Sequence, residues 1–449
     1  MIRLRKIFLI AIICLQPLII SGFWFWYHVN HPMGNLLTGD VFGMLLCYGR
    51  LSGLLAVFLA LLQILLISRA KWIESCFGHD RLAHAHGIIG FSILVLLIIH
   101  PIFLSIGQSI QSETTYLEQF VDFCKNYEDV FAALISLIII CIVVISSIFV
   151  RLKKLNYEIW YYIHLFLYVA ILLAFGHQME VGSDINASVI FKYYWYFLYA
   201  FVFLNLIYYR FLRPLLSFCK HRFQVSGIQL ETPGVTSVYI DGQNMNDFRS
   251  NPGQFIFLRF LAKGFFWEKH PFSISGRLEE GKIRVSVKAL GNFTKKIPKL
   301  LSGTYAIIDG PHGIFTSDNC KSSKFLLIAG GIGITPIISI AQEMVINQTD
   351  TILIYSNRNS KNIAFKDELD TLHEESMGKL KVIHLISEDH DWTGEKGRLD
   401  KDKIIRLIPD YNEREVFLCG PPVMMKSVFS ILAELNIPKK RIHFEKFSL

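Results

Sequence analysis

Long apolar runs fill the first half of the chain and short alternating ones fill the second. Six runs, at about 7–27, 42–67, 87–106, 130–150, 159–176 and 193–212, are each long enough to cross a bilayer as a helix. At about residue 216 the pattern changes. Short stretches with alternating side chains, at 223–231, 236–242, 253–260 and 283–290, are punctuated by Gly and Pro and predict a small antiparallel barrel. From about 320 the rhythm becomes strand–helix–strand, with strands at 324–330, 350–356, 381–387 and 415–420 and a helix at 335–346. The fold class predicted is therefore a multi-domain membrane protein: a six-helix transmembrane bundle over 1–215, an antiparallel β-barrel over 216–318 and an α/β doubly wound domain over 319–449.

Charge gives the bundle an orientation. Arg3, Arg5 and Lys6 precede the first run; Arg69, Lys71 and Arg81 separate the second from the third. Arg151, Lys153 and Lys154 separate the fourth from the fifth, and Arg210 and Arg213 follow the sixth. The opposite connections carry little positive charge, notably Lys125 and Lys192, and the 107–129 loop is acidic. By the positive-inside rule both termini are expected in the cytoplasm, with the third and fifth spans running in the same direction. The first run resembles a signal peptide but continues into the aromatic cluster Phe23–Tyr27, so an uncleaved span is expected.

Composition agrees with a part-embedded, part-soluble protein: 52% hydrophobic residues and a mean hydropathy of +0.40 over 449 residues. The net charge of +8 is explained by the cytoplasmic membrane face, and no basic tract interleaved with aromatics points to nucleic acid. The eight cysteines show no paired spacing, and Cys14, Cys47 and Cys141 lie in apolar runs. Neither a disulfide framework nor a zinc site is expected.

Four histidines stand out against the apolar background. His86 and His100 are 14 residues apart, and His164 and His177 are 13 apart. At about 1.5 Å per residue each pair spans roughly 20 Å of helix, with both rings on one side. Two such helices side by side could cradle two six-coordinate haems, with His86/His164 as inner ligands and His100/His177 as outer ones. Ionisable residues inside a span are expensive and usually functional. The plain alternative is four satisfied core histidines. His79 and His84 fall off the shared face and read as loop or helix-start residues. Arg50 reads as starting the second span near the outer surface. It is placed either to meet a haem propionate or the final acceptor, or simply to snorkel to the interface.

The second half carries short motifs in a telling order. His270 to Ser275 (HPFSIS) ends a barrel strand, Gly291 to Thr294 (GNFT) follows the next, and Gly310 to Gly313 (GPHG) closes the barrel. Gly330, Gly331 and Gly333 sit in a strand-to-helix turn, and Cys419 to Pro422 (CGPP) ends a later strand. Glycines in such a turn let backbone approach a pyrophosphate at a helix N-terminus, although tight packing alone would also use them, and the spacing is not GxGxxG. This order resembles the ferredoxin–NADP reductase family. With six spans and spaced histidines ahead of it, nearly the whole chain resembles the ferric reductase and NADPH oxidase superfamily.

That resemblance implies roles. His270, Pro271, Phe272, Ser273 and Ser275 would line FAD, Ser273 standing where the family often has Thr. Gly291 and Thr294 would bind its pyrophosphate. Gly330, Gly331, Gly333, Thr335 and Pro336 would meet the nicotinamide dinucleotide, with Cys419, Gly420 and Pro421 near the nicotinamide ring. The alternative for HPFSIS is a plain barrel strand with Phe272 in the core. Ser356, Arg358 and Lys361 follow a strand where the adenosine ribose is met. With no acidic residue at that point the reading favours NADPH over NADH, unless Arg358 merely caps a loop. Phe447 either stacks on the flavin or plugs a domain interface.

The activity implied is transfer of electrons from cytoplasmic NADPH through FAD and two haem b groups to an acceptor outside. Dioxygen, giving superoxide, is the first reading and a ferric chelate the second; an electron-transfer component serving a partner protein or quinone is the third. A haem-binding membrane sensor would leave the flavin and nicotinamide motifs unexplained. No obligate protein partner, calcium-binding loop or regulatory extension is evident, so constitutive activity is expected, and the compact form suggests a bacterial inner membrane.

Overall fold

The computed structural model describes residues 2–30, 40–152, 154–155, 157–277, 281–320 and 322–446. The chain divides into two compact units, Met1–Tyr209 and Arg210–Leu449.

The first unit is helical: α1 (Ile2–Asn30), α2 (Val41–Ile67), α3 (Lys71–Phe77), α4 (His79–Ser112), α5 (Tyr116–Asn126), α6 (Val130–Arg151), α7 (Tyr157–Glu180), α8 (Ser183–Asn186) and α9 (Val189–Ile207). Among the described residues, six helical stretches are long and apolar enough to span a membrane: Leu4–Asn30, Val41–Ile67, His79–Ser112, Val130–Val150, Ile159–Glu180 and Val189–His221. Helix is the form that satisfies every backbone N–H and C=O within hydrocarbon. Several helices outrun their apolar windows. α4 begins at His79, with Asp80 in its first turn, because polar residues extend a helix as well as apolar ones do and an acid favours its N-terminus. His79 and His84 are thus helix-start residues. The expected 107–129 loop is largely helical. α4 runs on to Ser112, and α5 begins with a capping box in which Thr115 Oγ1 accepts from Glu118 N and Glu118 Oε2 accepts from Thr115 N at 2.9 Å.

α2 and α4 approach closely through small residues. Gly49 and Gly53 are one helical turn apart on α2, and a Cβ on Gly49 would lie 3.1 Å from Leu104 of α4. From the other side, a Cβ on Gly107 would lie 3.0 Å from the Phe42 carbonyl. Without a hydrophobic drive between helices in lipid, such contact is what packs them.

The second unit opens with α10 (Arg213–His221), which follows a π-helical turn at Tyr208–Leu212. Its barrel is made of β1 (Gln224–Thr232), β2 (Val235–Asp241), β3 (Phe255–Phe260), β4 (His270–Ser273), β5 (Ile283–Lys288) and β6 (Ala306–His312), with α11 (Asn292–Lys296) between the last two. Two antiparallel sheets, β1-β2-β5 and β4-β3-β6, are joined by bridges at Gln224–Tyr305 and Ile274–Val285. There follow β7 (Lys324–Gly330), α12 (Ile334–Ile346), β8 (Asp350–Asn357), α13 (Lys366–Glu375), β9 (Leu380–Ile386) and β10 (Glu395–Lys396). Then come α14 (Lys401–Leu407), β11 (Glu415–Cys419), α15 (Pro422–Glu434) and β12 (Ile442–Glu445). These strands form one parallel sheet in the order β10-β9-β8-β7-β11-β12. The uninterrupted apolar run of β7 is explained by burial on both faces. Phe325, Leu327 and Ala329 enter one core, and Leu326 and Ile328 enter the other.

Barrel and parallel sheet are tied by polar contacts. Arg284 of β5 makes a forked pair with Glu368 of α13 at 2.7 and 2.9 Å, and its guanidinium lies 4.7 Å from the centre of the Phe365 ring. Gly253 N donates to Ser339 Oγ at 2.9 Å, and Arg277 N to Gln342 Oε1 at 2.8 Å. Because Arg284 is largely buried, removing its partner leaves a charge poorly compensated. Glu368→Ala should cost the second unit about 2 kcal/mol, read as earlier loss of bound flavin in a denaturant titration; an unshifted midpoint would show that the pair does not hold the halves together.

Candidate functional site

In the first unit the histidines of α4 and α7 face each other at two levels. The rings of His86 and His164 have centroids 6.0 Å apart at 53°, and those of His100 and His177 lie 6.2 Å apart at 69°. Two imidazoles on opposite sides of one metal, each bonded at about 2.0 Å with roughly 1.1 Å from nitrogen to ring centre, would stand about 6 Å apart. Both pairs therefore fit a shared metal. His100 Nδ1 donates to the Gly49 carbonyl at 2.7 Å, which leaves Nε2 as the lone-pair nitrogen. A Cβ on Gly53 would lie 2.7 Å from the same ring, so the glycine makes room for it. The Nδ1 atoms of His86, His164 and His177 are buried with no hydrogen-bond partner among the described residues. A cavity of 310 Å³ adjoins the second pair, lined by His100, His177, Gly53, Arg50 and Asp184 among others.

Arg50 lies well inside α2 and not at its start. Its guanidinium meets Ser183 Oγ and stands 3.6 Å from Asp184, whose side chain is 6% exposed. Asp184 in turn lies 2.9 Å from His28 Nε2. The guanidinium thus ends on a buried carboxylate and does not simply reach out to water. His28 and Asp184 were not legible as site residues, since no spacing marks either of them.

In the second unit the strand order reverses between β7 and β11, and open α/β sheets bind ligands outside the carboxyl ends of strands at such a point. The glycine-rich turn and CGPP meet there. Cys419 pairs with Ala329, and a Cβ on Gly333 would lie 2.6 Å from the Cys419 carbonyl carbon. A Cβ on Gly330 would run into Met424 Sδ and lie 3.0 Å from Pro421. Gly331 adopts φ +51°, the left-handed region that glycine tolerates. Gly420 lies against Gly330, and Thr335 and Pro336 are buried at the start of α12, where Thr335 Oγ1 donates to the Ile332 carbonyl at 3.0 Å. Cys419 is fully buried. Ser356 stands in register with Gly330, and its Oγ is buried without a hydrogen-bond partner among the described residues, as a hydroxyl awaiting a ribose or phosphate would be.

Arg358, 79% exposed, lies 3.7 Å from Glu388. The absence of an acid at this point, the ground for preferring NADPH over NADH, therefore does not hold in the folded chain. Parallel pairing of β8 with β9 brings Glu388 and Asp389 alongside Arg358, because Asn357 stands opposite Ile386 and the residues that follow the two strands run together. Hydrogen bonds from the Ser360 hydroxyl and backbone hold the Asp389 carboxyl below its ordinary value.

The two barrel motifs also meet. The His270 ring packs 4.1 Å from Phe293 of GNFT, and Phe272 lies 6.3 Å from the same ring. Pro271 is exposed and Ser273 buried opposite Phe255. Ser275 is fully buried, with its hydroxyl 2.7 Å from Ser286 inside the barrel. Thr294 Oγ1 accepts from the backbone N–H groups of Leu290 and Gly291, both at 2.9 Å. Sequence reasoning did not find the buried trio beside this strand, in which Asp309 meets Lys269 at 2.7 Å and His312 at 3.0 Å. GPHG was the signal, but nothing in it indicated a buried ion cluster. Phe447 lies outside the described residues.

Three matches to known families run in the same order as these elements. Residues 52–175 match the ferric reductase like transmembrane component, 222–333 an FAD-binding domain and 327–429 the oxidoreductase NAD-binding domain. The chain is an integral membrane protein in which a ferric-reductase-like transmembrane domain is fused to the FAD- and NAD-binding domains of an oxidoreductase. Among curated relatives, the plasma membrane-associated coenzyme Q6 reductase of Saccharomyces cerevisiae is 32% identical over 170 residues, 36% of this chain and 54% of that protein. The flavohemoprotein of Candida norvegensis is 29% identical over 237 residues, 49% of this chain and 56% of that protein. The chain thus spans about half the length of these relatives. The flavohem-like FAD/NAD-binding domain of nitric oxide dioxygenase from Vibrio cholerae is 22% identical with a TM-score of 0.45, covering 50% of this chain and 97% of that one.

The nearness of Glu388 to Arg358 makes the choice of nucleotide measurable. If Arg358 meets a 2′-phosphate, Arg358→Ala should raise KM for NADPH about tenfold, the loss of one charge-assisted contact, and leave KM for NADH within a factor of about two. Equal changes for both nucleotides would return Arg358 to a loop cap.

Proposed function

We propose that the protein carries electrons from cytoplasmic NADPH through FAD and two bis-histidine haem b groups to an acceptor on the outer side, with dioxygen, reduced to superoxide, as the first choice. The observation that carries this reading is the repeated histidine spacing, with centroids 6.0 and 6.2 Å apart at two levels of one helix pair. In this reading residues 1–215 form the transmembrane domain, 216–318 the flavin barrel and 319–449 the nicotinamide domain. The excess of Lys and Arg on alternate connections puts both termini in the cytoplasm, His86/His164 at the inner level and His100/His177 at the outer.

FAD, when bound, accepts the two electrons of a hydride and releases them singly, as haem requires. The chain's own residues set the conditions. Gly331, with open space where a Cβ would stand, gives the dinucleotide room beside the α12 N-terminus, Gly330 and Gly333 let that turn pack against Pro421 and Cys419, and Thr335 and Pro336 stand behind them. Cys419, Gly420 and Pro421 stand across the same crevice. His270, Pro271, Phe272 and Ser273 furnish the flavin wall, Ser275 instead turning its hydroxyl into the barrel toward Ser286, and Gly291 and Thr294 the turn at its pyrophosphate. Ser356, Arg358 and Lys361 meet the adenosine end. His86 with His164, and His100 with His177, would hold the two haem groups, which would supply one-electron transfer through the membrane domain. Each electron that crosses moves against or with about 2.3 kcal/mol per 100 mV of membrane potential. Arg50, tied to Asp184 beside the outer cavity, stands where an anionic product or a haem propionate would be met.

A second reading, reduction of a ferric chelate or a quinone, is favoured by the ferric-reductase-like match over 52–175 and by the name of the yeast relative. Cytochrome c reduction in air by detergent-purified protein with FAD and NADPH separates the two. Strong inhibition by superoxide dismutase is expected; an insensitive signal, with haem still reduced in the absence of air, would move the acceptor to ferric chelates or quinones. His100→Leu and His164→Leu should each lose the low-spin bis-histidine spectrum at their own level while the flavin remains. A full spectrum in either variant would rule out the ligand assignment.

A further inference from the structure

The base of the parallel sheet, at the opposite end from the glycine-rich turn, gathers three side chains from distant parts of the chain. Cys320 lies in the connection between β6 and β7, Glu415 opens β11, and His443 belongs to β12. Phe417 stands opposite His443 in the β11–β12 pairing, so Glu415, two residues earlier, projects from the same face as the imidazole. The His443 ring is held against Phe417 at 4.6 Å. Glu415 Oε1 lies 2.7 Å from His443 Nε2, and Cys320 Sγ lies 3.6 Å from the same nitrogen. The three ligand atoms are all within 4.8 Å of one another, and all three residues are half-buried.

Both partners approach one ring nitrogen. A cysteine–histidine–acid relay for nucleophilic catalysis needs them on opposite nitrogens, so this is not a catalytic triad. The donors instead converge on a point, as the corners of a tetrahedral site do. A thiolate, an imidazole and a carboxylate suit a borderline cation such as Zn²⁺ and not Mg²⁺ or Ca²⁺, which take oxygen ligands. The S···N separation already matches such a site. The N···O pair needs to open from 2.7 Å to about 3.3 Å, the edge of a tetrahedron with bonds near 2.0 Å. Without a cation the Cys320 thiol is pushed up to about 12, first by burial and then by the neighbouring Glu415.

We propose that Cys320, Glu415 and His443 bind one Zn²⁺, with water as the fourth ligand, and so pin the connection between barrel and parallel sheet to the last two strands. Charge balances: the thiol gives up its proton to solvent, the imidazole shifts its one proton from Nε2, where it donates to Glu415, to Nδ1, and thiolate and carboxylate offset the two charges of the ion. One proton is released per ion bound. From Glu415 to Cys419 is about 13 Å of strand, so the ion stands away from the crevice where β7 and β11 end and acts as a brace. No paired motif announces the site, because Cys320 and His443 are 123 residues apart.

The test uses the full-length, flavin-loaded protein in detergent after treatment with a chelator, titrated with Co²⁺ and then with Zn²⁺. One equivalent of Co²⁺ should give tetrahedral d–d bands and a thiolate-to-cobalt charge-transfer band, both removed by Zn²⁺, with about one proton released per ion. Cys320→Ser should abolish the charge-transfer band and weaken Zn²⁺ binding at least about 100-fold, and Glu415→Gln, which keeps the packing, should weaken it too. Flavin content and NAD(P)H–ferricyanide activity, within a factor of about two of the parent, show that the variants are folded. A charge-transfer band that survives Cys320→Ser, or equal Zn²⁺ affinity in parent and variants, would overturn the proposal, as would the absence of any binding at micromolar Zn²⁺.

Discussion

The facing of the histidines on α4 and α7 at two levels fixes the register in which these two helices stand. Their histidines meet at two levels, 6.0 and 6.2 Å between centroids, and both meetings depend on the helices running parallel with little offset. A slip of one turn, about 5.4 Å, would separate both pairs at once. The neighbours conform to this arrangement. Gly53 leaves space for the His100 ring, Gly49 supplies the carbonyl that orients it, and the Gln63 amide donates to the His86 carbonyl at 2.6 Å. The close contact of α2 with α4 and the facing of α4 with α7 are therefore parts of one packing solution.

The second unit solves a different problem. Two strand-to-helix turns cross at the end of the parallel sheet, and side chains have to be absent where they pack against each other. Gly330 and Gly333 on one turn and Gly420 on the other provide this, and the sheet order puts the two turns next to each other. Around that crevice the contacts are firm. β7 is buried on both faces, and Arg284, Gln342 and Glu368 join barrel to sheet through linked hydrogen bonds.

Much of this was legible because its signals are periodic or local. Apolar runs of span length, histidines at near-helical repeats, alternation in the barrel and glycines after a buried strand all follow from the geometry of single elements. Arg50 was visible as a charge in an apolar run, but its depth and its tie to Asp184 were not, since Asp184 lies beyond five further helices. Glu388 escaped notice beside Arg358 because only the pairing of β8 with β9 brings it there. Asp309 escaped for a related reason: His312 lies three residues on in β6 itself, but Lys269 reaches it from the connection before β4.

Taken alone, the sequence determined the class of each segment, the order of the three domains, which histidines share a helix side, and where glycine must stand. These depend on interactions within a turn or a strand, which composition and spacing encode directly. Tertiary structure decided which polar groups finally meet: Arg50 with Asp184, Arg358 with Glu388, Arg284 with Glu368, and Cys320 with Glu415 and His443. Each of these meetings is set by strand register or helix packing between residues far apart in the chain, and no local pattern carries that information.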